Sequence, residues 1–168
     1  MRPSARWTSL VTYYAERVSL DPAIVYRQML RESSGNPHAI SPAGAKGLMQ
    51  LMPGACQDMN VHSPFDPDQN VKGGTEYLAR QLANVRLTAK DAALTPTDAL
   101  RLALASYNAG FGYVRATMKE CLAQQLPLTW PNIKSLLRTV TARGLKVDWK
   151  QVTEYVDAIL PLTEGTHA

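Results

Sequence analysis

One carboxylate, Glu32, closes an apolar helical stripe and is followed by small and turn-forming residues in MLRESSGNPHAISPAGAKGLMQLMP, residues 29–53. Val25, Met29 and Glu32 fall at i, i+4 and i+7 and share one helix face. Arg27 and Arg31, four apart, share another that can reach water. Glu32 also lies in the last helical turn, at the negative end of the helix dipole. Burial and the dipole both disfavour the charged form, so the position predicts a carboxyl that holds its proton toward neutral pH. Such an acid suits general-acid cleavage of a glycosidic bond. Taken alone, the residue reads more simply as a solvated glutamate at a helix end, paired with Arg31.

The elements that must position this group are helical. A first helix is expected over 4–18, with Trp7, Leu10, Val11, Tyr14 and Val18 at helical spacing. A second starts at Asp21-Pro22, an N-cap followed by proline at the first helical position, and runs to about Ser33. The stretch 31–47 holds Ser33, Ser34, Gly35, Asn36, Pro37, Ser41, Pro42, Gly44 and Gly47, which makes it a loop. Further helices are expected over 53–59, 68–87, 95–108, 112–125, 132–142 and 148–160, with a loop over 87–94. Gly110 and Gly144 stand just beyond two helix ends. No run alternates with period two, so the fold class is all-α, with seven or eight short helices in a single domain over 1–168.

Composition bounds the function. The chain has 168 residues, 45% hydrophobic and 19% charged, with a net charge of +4. That length buries a substantial core, and the composition is that of a soluble globular protein. Mild basicity suits an anionic partner, whether nucleic acid, a membrane face or bacterial cell wall. The basic residues are scattered and aromatics make up only 7%, so nucleic acid has little support. No segment approaches the roughly 18 apolar residues that span a bilayer, and the N-terminus lacks a signal-peptide core. Synthesis as a soluble cytosolic protein, or a leader already removed from the sequence, is therefore expected, as is a chain that does not insert stably in a membrane. Cys56 and Cys121 are compatible with one disulfide or with two free thiols. Cys56 has no His or Cys at metal-ligand spacing, so no metal site is expected.

The loop and three later segments together resemble the lytic transglycosylase (SLT) family. ESSGNPHAISPAGAKGLMQLMP is similar to its signature, a Glu-Ser pair followed by a serine-bearing loop and a GLMQ-MP block. FDPDQNVKGGTEYLARQL resembles the intervening helix, with a D-P..N start and an apolar G..YL run. ASYNAGFGYV resembles the AYNAG motif, and QVTEYVDAIL a weaker ET..YV motif. The matches come in family order across about 19–160. The resemblance implies a lysozyme-like helical fold, shared with goose-type lysozymes, and a single catalytic domain. It makes Glu32 the sole catalytic acid/base, beside Ser33. It places Ser41, Met49 and Gln50 along the cleft, Tyr107 and Asn108 near the carboxylate, and Tyr155 facing the site. Gln151 departs from the pattern, standing where the family often has glutamate. On spacing alone, Tyr107 is a core tyrosine behind Leu100, Ala103 and Leu104, and Met49 is plain core.

The implied substrate is peptidoglycan, cleaved without metal or cofactor by a monomer acting on the wall in the periplasm. Most glycosidases use two carboxylates. Asp58, Asp66 and Asp68 lie in other segments with no motif around them. One acid suffices if the substrate supplies its own nucleophile. The rival readings are a lysozyme-type muramidase hydrolase and a non-catalytic wall-binding or assembly module. Short length and the lack of an appended binding domain lean toward a phage lysis enzyme (an endolysin), with a virion- or secretion-linked wall-opening enzyme and an excised domain of a longer bacterial protein as the alternatives.

Overall fold

Asp21 sets the first boundary that matters. In a computed structural model, which describes residues 5–90, 92–140 and 147–161, its carboxylate accepts the backbone N–H of Ala23 at 2.8 Å, with Pro22 next in the chain. Eight α-helices are present among the described residues: α1 (Ala5–Arg17), α2 (Pro22–Ser33), α3 (Pro53–Asp58), α4 (Pro67–Ala89), α5 (Pro96–Ala109), α6 (Phe111–Ala123), α7 (Trp130–Leu137) and α8 (Trp149–Ile159). They contain no strand, only isolated bridges pairing Lys46 with Ile40 and with Leu51. None of the helices is long and apolar enough to cross a membrane.

Two helices depart from the expected bounds for identifiable reasons. α4 runs past residue 87 to Ala89, because Val85 and Ala89, four apart, are both buried. α7 starts at Trp130 rather than 132, where the N–H of Trp130 is accepted by Asp98 at 3.0 Å. α7 ends at Leu137 and not at 142: residues 138–140 leave the helix in a turn, with the Thr139 hydroxyl and the N–H groups of Thr139 and Val140 all on Leu136 O, while 141–142 and Gly144 lie outside the described residues.

The chain divides into two compact units, Met1–Ala79 and Arg80–Ala168, with α4 running through the boundary. In the first unit α1 packs on α2, burying Trp7, Val11 and Ala15, a single i, i+4, i+8 stripe. Tyr14 on α1 donates to the Asp68 carboxylate at the start of α4, at 2.9 Å. In the second unit α5 packs against α6, α7 and α8. Its Asp98 accepts from Trp130 N–H and from the Thr95 hydroxyl (2.8 Å), and lies 3.6 Å from the Arg101 guanidinium. Arg101 in turn donates to the carbonyls of Leu160 and Pro161, fastening the end of α8.

Candidate functional site

α2 delivers Glu32 in its last turn but one residue. Val25 and Met29 on the same face are fully buried, Arg27 and Arg31 are exposed, and Glu32 is half-buried. The helix stops at Ser34, left-handed at φ 54°, whose N–H returns to Leu30 O. Ser33 secures the exit: its hydroxyl donates to Met29 O at 3.2 Å and accepts from Gly35 N–H at 3.2 Å. Asn36 then makes an Asx turn to His38 N–H (3.0 Å), and the Trp7 indole N–H holds Gly35 O at 3.0 Å. The carboxylate thus leaves its helix into a backbone fixed from both sides.

The loop beyond is tied to itself by the residues that the sequence singles out. Ser41 Oγ accepts Ala45 N–H at 3.0 Å, while the backbone pair between the same two residues closes at 2.9 Å. A hydroxyl that accepts one bond keeps a proton to donate. The Gln50 amide nitrogen donates to Ala39 O (3.1 Å) and Gly47 O (2.9 Å), drawing the loop into a ring. Gln50 itself is left-handed, at φ 47°. Met49 has a fully buried side chain and contributes its backbone N–H to the frame. Ile40, beside Ser41, is 64% exposed, an apolar side chain that the loop holds toward solvent.

The groups that hold this loop on α4 carry no signal near Glu32. Asn70 is fully buried, accepts Met49 N–H at 2.7 Å, and donates to Lys46 O (3.0 Å) and Pro64 O (2.8 Å). Its place in the D-P..N start of α4 is the one sequence trace of that role. Gly47, at φ 79°, is required beside it: a Cβ there would lie 2.2 Å from Pro64 O and 2.4 Å from the Asn70 amide nitrogen.

Glu32, Ser33, Ser41, Met49 and Gln50 all belong to the first unit. Tyr107, Asn108 and Tyr155 belong to the second, where α5 and α8 pack together. Tyr107 and Asn108 are half-buried in the last turn of α5, and Tyr155 is buried on α8. Gln151 is exposed one turn earlier. Cys56 and Cys121 are both free thiols, half-buried and buried respectively, and burial pushes both up from the ordinary thiol range. Among the described residues no group of three or more His, Cys, Asp or Glu could hold a metal ion.

Chemically, the first unit offers a carboxyl at a helix end, followed in the chain by a loop that Ser33, Ser41 and Gln50 tie to itself. The family model for the transglycosylase SLT domain matches residues 9–125, from α1 through α6. Membrane-bound lytic murein transglycosylase F from Photobacterium profundum is 32% identical over 142 residues, which is 82% of this chain and 26% of the relative. The same-named protein of Desulfosudis oleivorans is 30% identical over 163 residues, covering 92% of this chain and 35% of the relative. The chain therefore spans between a quarter and about a third of the length of these relatives. Two solved structures share the fold at 24% identity and cover 95% of this chain. They are an inactive mutant of lytic transglycosylase Slt from Pseudomonas aeruginosa (TM-score 0.68, 23% of that chain) and the 70 kDa soluble lytic transglycosylase from Escherichia coli (0.66, 24%). The fold is thus the lysozyme-like all-helical one expected from the motifs. With a family match over well more than half its length and relatives above 30% identity, this chain belongs to the transglycosylase SLT domain family.

Proposed function

We propose that the protein is a peptidoglycan lytic transglycosylase that cleaves the β-1,4 bond between N-acetylmuramic acid and N-acetylglucosamine, with Glu32 as its acid and base. The observation that carries this reading is the position of Glu32: half-buried in the last turn of α2, with the backbone beyond it locked by Ser33, Trp7 and Gln50. The family match and the names of the relatives support it.

In the first step Glu32 gives its proton to the bridging oxygen as that oxygen's bond to C1 of the muramoyl sugar breaks. The muramoyl N-acetyl carbonyl stabilises the positive charge growing at C1. Glu32, now a carboxylate, takes the proton of the same sugar's 6-hydroxyl while that oxygen bonds to C1. The products are a free 4-hydroxyl on N-acetylglucosamine and a 1,6-anhydro muramoyl end. No water is consumed, and Glu32 finishes protonated as it began. One residue serves both transfers because the substrate supplies the nucleophile. The resemblance assigns substrate binding to Ser33, Ser41, Met49, Gln50, Tyr107, Asn108 and Tyr155; Met49, whose side chain is fully buried, serves by shaping the loop from beneath. Residues 1–168 act as one catalytic domain and as a monomer, on the wall in the periplasm. The relatives are bacterial proteins named as membrane-bound, and none of them supports a phage-lysis setting.

Digesting purified peptidoglycan and weighing the muropeptides tests the reaction. Anhydro ends are one water lighter than hydrolysed ends. Predominantly hydrated ends would replace this reading with a muramidase, and no cleavage at all with a non-catalytic wall-binding module. E32Q keeps the shape of the side chain and removes its acid, so wall clearing should vanish while helical circular dichroism is retained.

A further inference from the structure

The end of α4 and one stripe of α6, both in the second unit, form a basic groove that the reaction above does not use. The groove encloses about 390 Å³, and its lining includes Leu87, Lys90, Phe111, Arg115 and Lys119. The three α6 residues recur at i, i+4 and i+8 and so lie along one face. Lys90, Arg115 and Lys119 are exposed, no carboxylate of a described residue lines the groove, and none of the three forms an ion pair with another described residue. Arg86, also exposed, stands one turn before Lys90.

The helix dipole explains part of this charge and not the rest. Cations at the end of α4 complement its negative pole, which accounts for Arg86 and Lys90. Arg115 lies little more than one turn from the start of α6, where the dipole opposes a cation. Among the cations stand apolar groups that folding leaves in water. Leu87 is 74% exposed, the highest among the exposed large hydrophobics, and Leu122, one turn beyond Lys119, is 37% exposed. Guanidinium and ammonium groups bind phosphate oxygens. Exposed leucines beside them gain by entering an acyl boundary, which a soluble phosphate does not offer.

We propose that this groove docks the phosphate headgroups of an anionic bilayer, with Leu87 entering the interface and Lys90, Arg115 and Lys119 binding phosphate. No described helix is long and apolar enough to cross a membrane, and the contact proposed for the groove is a peripheral one. It does not depend on the proposed reaction: E32Q binds as the unaltered chain does.

Co-sedimentation of the full chain with vesicles decides it. Binding is expected to vesicles of phosphatidylcholine with about a third phosphatidylglycerol, not to phosphatidylcholine alone, and to fall as salt rises. Replacing both Arg115 and Lys119 by Gln should lower partitioning about 25-fold, roughly fivefold per charge. Leu87→Ser should weaken it too, and inorganic phosphate at millimolar concentration should not displace the protein. All the altered side chains are solvent-exposed, and circular dichroism verifies that each variant folds. Failure to bind the anionic vesicles, or equal binding by the double variant, would overturn the proposal. So would displacement by phosphate together with indifference to Leu87→Ser, which would make the groove a site for soluble phosphate.

Discussion

Asn70 of α4 holds the backbone N–H of Met49 at 2.7 Å, across 21 residues of sequence, and with its amide nitrogen holds the carbonyls of Lys46 and Pro64. One buried side chain thereby fixes the loop that follows Glu32 onto the helix beneath it. Asn70→Ala strands one donor and two acceptors inside the first unit. Each buried orphan costs about 1–3 kcal/mol, so a total of about 3 kcal/mol or more is expected, read as a lower urea midpoint with little change in slope. Asn70→Asp keeps the acceptor for Met49 but turns a carboxylate oxygen on two carbonyls, and should be as damaging. Wall cleavage should fall further than the loss of folded protein explains, because Ser41 and Gln50 ride on the released loop.

This relationship marks where sequence reading succeeds and where it stops. The start of α2 is written locally in Asp21-Pro22, and the face carrying Glu32 follows from the spacing of Val25 and Met29, both fully buried. Those features depend on neighbours within two helical turns. Asn70 depends on groups up to 24 residues away, and nothing in periodicity or capping encodes such a pairing. Ser41 and Gln50 were legible as residues of interest, yet their polar groups also build the loop, a role visible only once Ala39, Ala45 and Gly47 are seen to fold back. Tyr155 is picked out by the resemblance alone, and its side chain is buried on α8.

Two glycines should respond differently from a third. Gly47→Ala forces a Cβ to within 2.2 Å of Pro64 O at a left-handed φ of 79°, so loss of about 2 kcal/mol or more is expected. Gly73, inside α4, would gain helix propensity on substitution by alanine, but the new Cβ falls 2.4 Å from Val61 Cγ2. Overpacking should prevail by about 1 kcal/mol, and Val61→Ala in the same chain should restore part of it, which a double-mutant cycle measures. Gly44, at φ 90° but with open space around it, reports the cost of backbone strain alone. A Gly44→Ala variant as damaged as Gly47→Ala would remove the steric explanation.

Asp98 should be the most sensitive single position of the second unit. Its carboxylate caps α7 through Trp130 N–H and accompanies the buried Arg101, which grips the end of α8. Asp98→Ala leaves a guanidinium buried without its counter-charge, a loss of about 3–5 kcal/mol. Thr95→Ala removes the N-cap of α5, where the hydroxyl accepts Asp98 N–H at 3.0 Å, together with that hydroxyl's bond to the Asp98 carboxylate at 2.8 Å, but leaves the ion pair in place, and should cost about 1–2 kcal/mol. Thermal unfolding of the two variants side by side separates the buried pair from the cap. Equal losses would show that Arg101 finds compensation elsewhere.

Tyr14 predicts how the fold responds to alkali. Burial, and then the hydrogen bond it donates to Asp68, push its phenol up to about 12 from the ordinary tyrosine value. The folded chain therefore keeps this proton at a pH where the unfolded chain has released it. For a group whose pKa is raised on folding, the stabilisation is complete below the unfolded value, near 10, and is lost as pH rises through the folded one. Denaturant midpoints should accordingly hold steady up to about pH 9 as far as Tyr14 is concerned, then decline toward pH 12. Tyr14→Phe should cost about 1 kcal/mol at neutral pH, the worth of one hydrogen bond, and should decline less steeply above pH 10. Spectrophotometric titration at the phenolate band supplies the direct check, since one late-titrating tyrosine should disappear in Tyr14→Phe. Loss of a tyrosine that titrates near the ordinary value, in place of the late one, would mean that the Asp68 bond does not hold the proton in solution.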